Sequence, residues 1–386
     1  MNLLKKSETI KREPYLNFKL FYRNIDRKLI WQVLTIKFLV ILWGGIVHQV
    51  FTRHRFANLG DWLAIWNLWD APRYLNLAEF GYQSSGENQV NIAFYPLYPL
   101  LIRCIETITN NYIVSAFLIS ALASIATAIF LQNLVAVDYS PKIARSSVLF
   151  LFIFPTSYFL HIGYTESLFL ALSIGCLLAA RTNNWRWVGF LGGLATMTRI
   201  NGMILIPALI VEAIHQYRIN KRFNRSWLWI LAVPSGLIIY LLCNLWVNGN
   251  IFSFLEFQRE FWHKSSAFPW QSIWAKIQQT PRYAAYEMQM VGVQELLFIA
   301  IGLAGTIWSW FKLRPVYSVW MTGNWWLFTS TSFILSVPRY TLVLFPLYIG
   351  FSFLYKERIL YNVIIVWCVV FLLLFSGLFA VGKWAF

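Results

Sequence analysis

Charge is what this chain has least of. Only 12% of its 386 residues are Asp, Glu, Lys or Arg, against about 25% in soluble domains, and acids are scarcer than bases, 16 against 32. So little charge on so long a chain excludes an ordinary soluble globular protein. Cysteine is sparse too. Cys104, Cys176, Cys243 and Cys368 lie far apart and mostly within apolar runs, which gives neither a disulfide framework nor metal-ligand spacing. They read as packing residues. No P-loop and no G-x-G-x-x-G cradle occurs, so a user of ATP or nucleotide sugars is not supported. There is no repeat, no low-complexity segment and no separate soluble domain.

What the chain has in abundance is apolar and aromatic. Hydrophobic residues make up 58%, and 20 of the residues are Trp, which suits a protein with many membrane–water interfaces to anchor. The net charge of +16 falls in short clusters between apolar runs. That is the pattern of membrane orientation signals rather than of a nucleic-acid-binding face.

A membrane span needs roughly 20 apolar residues. The first runs over Leu29–Phe51 and reads as an uncleaved signal anchor behind a basic tail (residues 1–28) whose Lys and Arg place the N-terminus in the cytoplasm. Residues 52–110 then form a long extracytoplasmic loop with a short amphipathic piece, AFYPLYPLLIR. Further spans are expected near 113–137, 144–160, 167–180, 228–247, 291–311, 316–335, 341–355 and 360–381, with a second outer loop over 248–290. The run 187–213 conflicts with this alternation, because the very basic HQYRINKRFNRS follows it. Its polar centre, TMTRINGM, resolves the conflict as two half-helices meeting in an irregular turn, with Arg199 and Asn201 at the tip. The expected fold is therefore an all-α polytopic bundle of 10–11 membrane segments, a single domain over residues 29–386.

With the spans laid down, five polar clusters face outward: WNLWDAPRYLNLAEFGY, FPTSYFLHIGYTES, TMTRING, FQREFWHKSSAFPW and SVPRY. Ionisable groups near membrane depth are costly and tend to be functional, so their convergence argues for one shared site. Asp70 is the candidate base, held between WNLW and Pro72; its plainer reading is a helix N-cap. Arg73 and Tyr74 follow on the same helix face. Glu166 is either a first-turn helix acid or a sugar-hydroxyl contact. His161 reads as a structural histidine, Asp61 as a loop acid, and Lys264 as a side chain reaching the headgroups. Arg199 and Arg339, beside Gly and Pro breaks, suit an anion such as phosphate, with Arg259 and His263 as helpers and Asn201 on sugar hydroxyls.

Taken together, WDAPRYLNLAEFGY with AFYPLYPLLIR, YTESLFLAL, GFLGGLATMTRINGMIL, NGNIFSFLEFQREFW and PRYTLVLFPLYI resemble the PIG-V family of mannosyltransferases, integral-membrane glycosyltransferases of the GT-C class. The motifs occur in the family's order over most of the chain. The resemblance implies a polyprenyl-phosphate sugar donor, a glycolipid or glycan acceptor, extracytoplasmic transfer with inversion, and Asp70, the acidic residue of the WD pair, as the catalytic residue. The D-x-D-like acidic pair common in the class is absent, since Asp61 and Asp70 are well separated, so a divalent metal stays open as a cofactor but has no such pair to support it. The compact length and short loops resemble a prokaryotic member, in a bacterial inner or plasma membrane. The rival readings are a flippase for lipid-linked sugars and a periplasmic oligosaccharide ligase or polymerase.

Overall fold

The computed structural model describes residues 26–386. The basic tail expected over residues 1–28 falls outside the described residues apart from its last three. The chain opens on α1 (Arg27–Thr52) and crosses its first loop as α2 (Leu59–Ala64), α3 (Ala71–Phe80) and α4 (Leu97–Thr109). It continues through α5 (Tyr112–Ala136), α6 (Pro141–Ile153), α7 (Glu166–Arg181) and α8 (Trp185–Thr196). Next come α9 (Ile200–Asn220) and α10 (Arg225–Asn248), followed by α11 (Ser253–Trp262) and α12 (Pro269–Gln279) in the second loop. The last part is α13 (Ala285–Lys312), α14 (Pro315–Thr329), α15 (Val337–Val343), α16 (Pro346–Lys356) and α17 (Arg358–Ala380). Among the described residues there is no strand, and one isolated β-bridge joins Ser266 to Thr331. The architecture is an all-α polytopic bundle, and the chain is a multi-pass integral membrane protein.

The expected spans differ in length. Six helices (α1, α5, α9, α10, α13 and α17) are long and apolar enough to cross a membrane, and α15 with α16, bent by 82°, makes a seventh if read as one broken span. The expected spans at 144–160, 167–180 and 316–335 are instead α6, α7 and α14, of 13, 16 and 15 residues. At 1.5 Å per residue these fall short of a 30 Å hydrocarbon core. Each stops early because the chain leaves the helix to build loops at one end of the bundle. The break expected in TMTRING is present, between α8, which ends at Thr196, and the 3₁₀ start of α9 at Ile200.

Irregular backbone inside a membrane protein must find its hydrogen bonds within the protein. Helix α5 supplies them. Its Ser120, Ser124 and Thr127 lie on one face and donate to the carbonyls of Tyr164, Leu160 and Ser167 at 3.3, 2.8 and 3.0 Å. Small side chains along this stripe also let α5 and α7 approach closely. As a result α7 is the buried axis of the bundle, with every residue from Glu166 to Ala180 enclosed.

That axis separates two charged clusters. At its C-terminal end Arg181 binds Asp138 through two nitrogens, at 2.5 and 2.7 Å, and Tyr317 at 3.0 Å. Arg314 binds Glu212 with the same two-pronged geometry, at 2.7 and 2.8 Å. Asp26 caps α1 and pairs with Arg145 at 2.9 Å, and Lys142 sits 4.4 Å from the Tyr355 ring. The turns α5–α6, α7–α8, α13–α14 and α16–α17 are thereby stapled to one end. The N-terminal end of α7 carries the other cluster, about 24 Å away along a 16-residue helix.

Candidate active site

Two arms of the chain bring the site together, and both turn through a left-handed residue. Trp69 (φ 58°) precedes Asp70, and Ser336 (φ 70°) precedes the Val337–Tyr340 turn that carries Arg339. Non-glycine residues rarely adopt this conformation, and it persists here because the surroundings fix it. The Tyr164 hydroxyl donates to Leu68 O at 2.6 Å. The backbone N–H groups of Ser336 and Val337 both donate to the buried carboxylate of Glu295, at 2.7 and 2.8 Å, and Thr156 donates to Pro338 O at 2.8 Å.

The arms meet in a chain of charges. Arg339 donates from Nη1 to Asp70 Oδ2 at 2.6 Å and from Nε to Glu166 Oε1 at 2.5 Å. Arg199 donates to the same Glu166 oxygen at 2.5 Å and to Thr165 Oγ1 at 3.3 Å. The rings of Phe159 and Tyr164 lie against the Arg339 guanidinium at 4.8 and 4.7 Å. Arg339 and Glu166 are enclosed, whereas the Asp70 side chain is 30% exposed. Two cations and two anions thus share one network, as charges removed from water must.

Above this network lies a cavity of about 680 Å³, within the range of about 300–1,000 Å³ typical of ligand sites. Its walls include Asp70, Tyr74, Arg199, Asn201, Arg259, Lys264 and Arg339, with Ile200, Leu255, Leu327 and Phe328 as an apolar side. Arg259 and Lys264 have no ion-pair partner among the described residues, and Arg199 uses one nitrogen for its bonds to Thr165 and Glu166. Cationic donors therefore remain available in a cavity that presents one partly exposed carboxylate of its own network. A smaller compartment of about 330 Å³ adjoins it and shares Asp70, Lys264 and Arg339.

The sequence-derived candidates distribute as follows. Asp70, Tyr74, Arg199, Asn201, Arg259 and Arg339 come together on the main cavity. Arg73 lies on the smaller compartment and donates to Asn91 at 3.2 Å. Asp70 does occupy the N-cap position of α3, but its side chain makes no capping bond and turns to Arg339 instead. Glu166 is placed beneath the cavity, clamping two arginines, and does not line it. His263 is exposed at the end of α11 and lines neither compartment. Asn201 donates to Asn324 at 2.8 Å. His161 is fully buried and its carbonyl accepts from Lys37 at 2.7 Å. Asp61 pairs with His54 at 3.2 Å; the Ala57 backbone N–H and His54 hold its carboxyl below the usual range.

Three features escape sequence reasoning. Lys264 lines the cavity and lies 5.7 Å from the Tyr340 ring, where the sequence suggests only a headgroup contact. Glu295 anchors the Arg339 arm; its signal was present, as a lone ionisable residue inside an apolar run. Ser330 and Thr331 line the cavity with buried hydroxyls that have no partner among the described residues, and nothing in a TSTS string marks them. Among the described residues, no cluster of three His, Cys, Asp or Glu side chains suits a metal ion.

The bundle thus holds a carboxylate and a group of arginines together at one end, on the wall of one cavity. The sequence pattern of the mannosyltransferase (PIG-V) family matches residues 58–271, more than half the chain and most of the residues that build this site. The chain belongs to that family. A GPI alpha-1,6-mannosyltransferase 2 of Cricetulus griseus is 30% identical over 154 residues, which is 37% of this chain and 30% of that protein. The match thus spans less than a third of the relative. No solved structure matches.

Proposed function

We propose that the protein transfers a sugar, mannose in the first instance, from a polyprenyl-phosphate donor to a hydroxyl of a glycolipid or glycan, on the extracytoplasmic side of the membrane. One observation carries this reading: a partly exposed carboxylate, Asp70, faces the same cavity as Arg199, Arg259 and Lys264, cations with donor capacity to spare. Arginine and lysine donors suit a phosphate. The apolar side at Ile200, Leu255, Leu327 and Phe328 gives a lipid tail somewhere to leave by.

In this mechanism the acceptor hydroxyl oxygen bonds to the anomeric carbon as the bond from that carbon to the phosphate oxygen breaks. The electron pair departs with polyprenyl phosphate, whose charge the Arg199, Arg259 and Lys264 side chains stabilise. The hydroxyl proton passes to Asp70 through Oδ1, the oxygen that Arg339 leaves free. Attack from the face opposite the leaving group inverts the anomeric carbon, in the geometry of inverting glycosyl transfer. Arg339 fixes the orientation of Asp70, and Asn201 with Ser330 and Thr331 supplies hydroxyl contacts for the sugar.

The test is Asp70→Asn in membranes supplied with polyprenyl-phosphate mannose. Removal of a general base is expected to slow transfer by about 10²-fold or more at unchanged protein level. Full turnover by the variant would overturn the role of Asp70. Wild-type membranes that move the lipid-linked sugar across the bilayer without releasing polyprenyl phosphate would overturn the reaction itself.

A further inference from the structure

Resting on the reading above, we infer that the smaller compartment is the acceptor subsite and that it takes a saccharide ring, stacked on an aromatic wall. The wall is built from three distant parts of the chain: Trp69 from the first loop, Trp262 from the end of α11, and Trp384 with Phe386 from the segment after α17. Trp69 and Trp384 meet edge to face at 4.9 Å, yet Trp69 remains 46% exposed.

The segment after α17 does not drape loosely. The Tyr286 hydroxyl donates to Trp384 O at 2.7 Å, and Tyr158 donates to Ala385 O, so the backbone that carries the Trp384 wall is held in place before any ligand arrives. Trp384 Nε1 is buried and has no acceptor among the described residues.

Chemistry assigns the two compartments. The main cavity alone holds Arg199 and Arg259 and an apolar exit, which suit a lipid phosphate, and Lys264 stands at the boundary of the two. The smaller one alone offers flat indole faces beside Arg73, with Gln258 shared between them. Aromatic rings carry a negative face that attracts the C–H groups of a sugar ring, and planar amide and guanidinium groups read its hydroxyls. A volume of about 330 Å³ is at the low end for ligand pockets and fits a single ring better than a long glycan. Asp70 stands in both compartments, so a hydroxyl delivered from the aromatic side meets the base at the boundary where the donor carbon would lie.

The experiment has two arms. Purified protein in detergent is probed by saturation-transfer NMR with methyl α-mannoside, methyl α-glucoside and methyl α-galactoside, with no donor present. Transfer to the ring C–H protons of at least one glycoside is expected in the wild type and in Trp384→Phe. It should disappear in Trp262→Ala/Trp384→Ala at a melting temperature that shows the variant folded. In the second arm, with polyprenyl-phosphate mannose, Trp384→Ala is expected to raise the glycoside KM about tenfold with a much smaller change in donor KM. Saturation transfer that survives in the double variant, or none in the wild type, overturns the proposal; so does a rise in donor KM alone. Because the NMR arm needs no turnover, an inactive wild type would count against the proposed reaction and leave the saccharide subsite to be decided by that arm.

Discussion

Arg199 and Arg339 look alike in the sequence, each a lone arginine beside a helix breaker, and both were expected to hold phosphate. Their surroundings divide the work. Arg339 is buried, donates from two of its nitrogens to Asp70 and Glu166, and lies against two adjoining aromatic rings; in the proposed mechanism it orients the base. Arg199 reaches the cavity with donors to spare. Glu166 makes this division possible, since one of its oxygens anchors both guanidinium groups. Glu166→Gln would keep the shape and delete the charge, leaving two cations with Asp70 as the one remaining anion of the network. Breaking a buried ion pair costs about 3–5 kcal/mol, and the variant should melt well below the wild type in detergent. A variant with wild-type melting and selectively lost transfer would instead make Glu166 a substrate contact. The residue types were legible from the sequence, because an ionisable group at membrane depth stands out against so apolar a background. Which arginine faces an acid and which faces open space was not, because that depends on partners 33 and 173 positions away.

At the level of elements, the sequence shows where helices break more reliably than how many cross the membrane. TMTRING was legible as a break because its polar run interrupts an apolar one, and Gly202 explains why the chain can turn there. A Cβ at Gly202 would stand 2.6 Å from the backbone N of Thr196 and 2.8 Å from the Ala195 carbonyl carbon. No side-chain adjustment relieves a collision with backbone, so Gly202→Ala should push α8 and α9 apart and displace Arg199. Overpacking of this kind costs about 1–3 kcal/mol. The expected signature is a fall in transfer rate larger than the fall in melting temperature would explain, read from activity and thermal melts on one preparation. Wild-type activity in Gly202→Ala would show that the close approach does not position Arg199. Helices α6, α7 and α14 are shorter than the apolar runs that contain them for a related reason. Hydropathy registers apolar length, and Phe154–Tyr164 is apolar enough to extend a span although its backbone has left the helix. Its carbonyls are satisfied by hydroxyls of α5, an arrangement invisible from within the segment.

Across the whole molecule, the two charged clusters lie at opposite ends of α7, and this gives the proposed sidedness a physical handle. The turns rich in Lys and Arg gather with the Asp138–Arg181 and Glu212–Arg314 pairs, at the end away from Asp70. If basic turns face the cytoplasm, as such turns generally do, the site and the first loop face outward. The chain carries its own reporter of this. Cys104, on α4 in the first loop, is exposed, whereas Cys176 and Cys368 are buried and Cys243 is partly so. A membrane-impermeant maleimide added to sealed right-side-out vesicles should label the wild type and not Cys104→Ser. A cysteine introduced as Lys221→Cys into the Cys104→Ser background, in the basic α9–α10 turn at the other end, should react only after the vesicles are opened. The reverse pattern would place the carboxylate and its arginines in the cytoplasm, and with them the whole case for an extracytoplasmic lipid-phosphate donor would fall. The paired labels are needed because the fold alone has two ends without naming them; only the distribution of charge between those ends predicts which faces out.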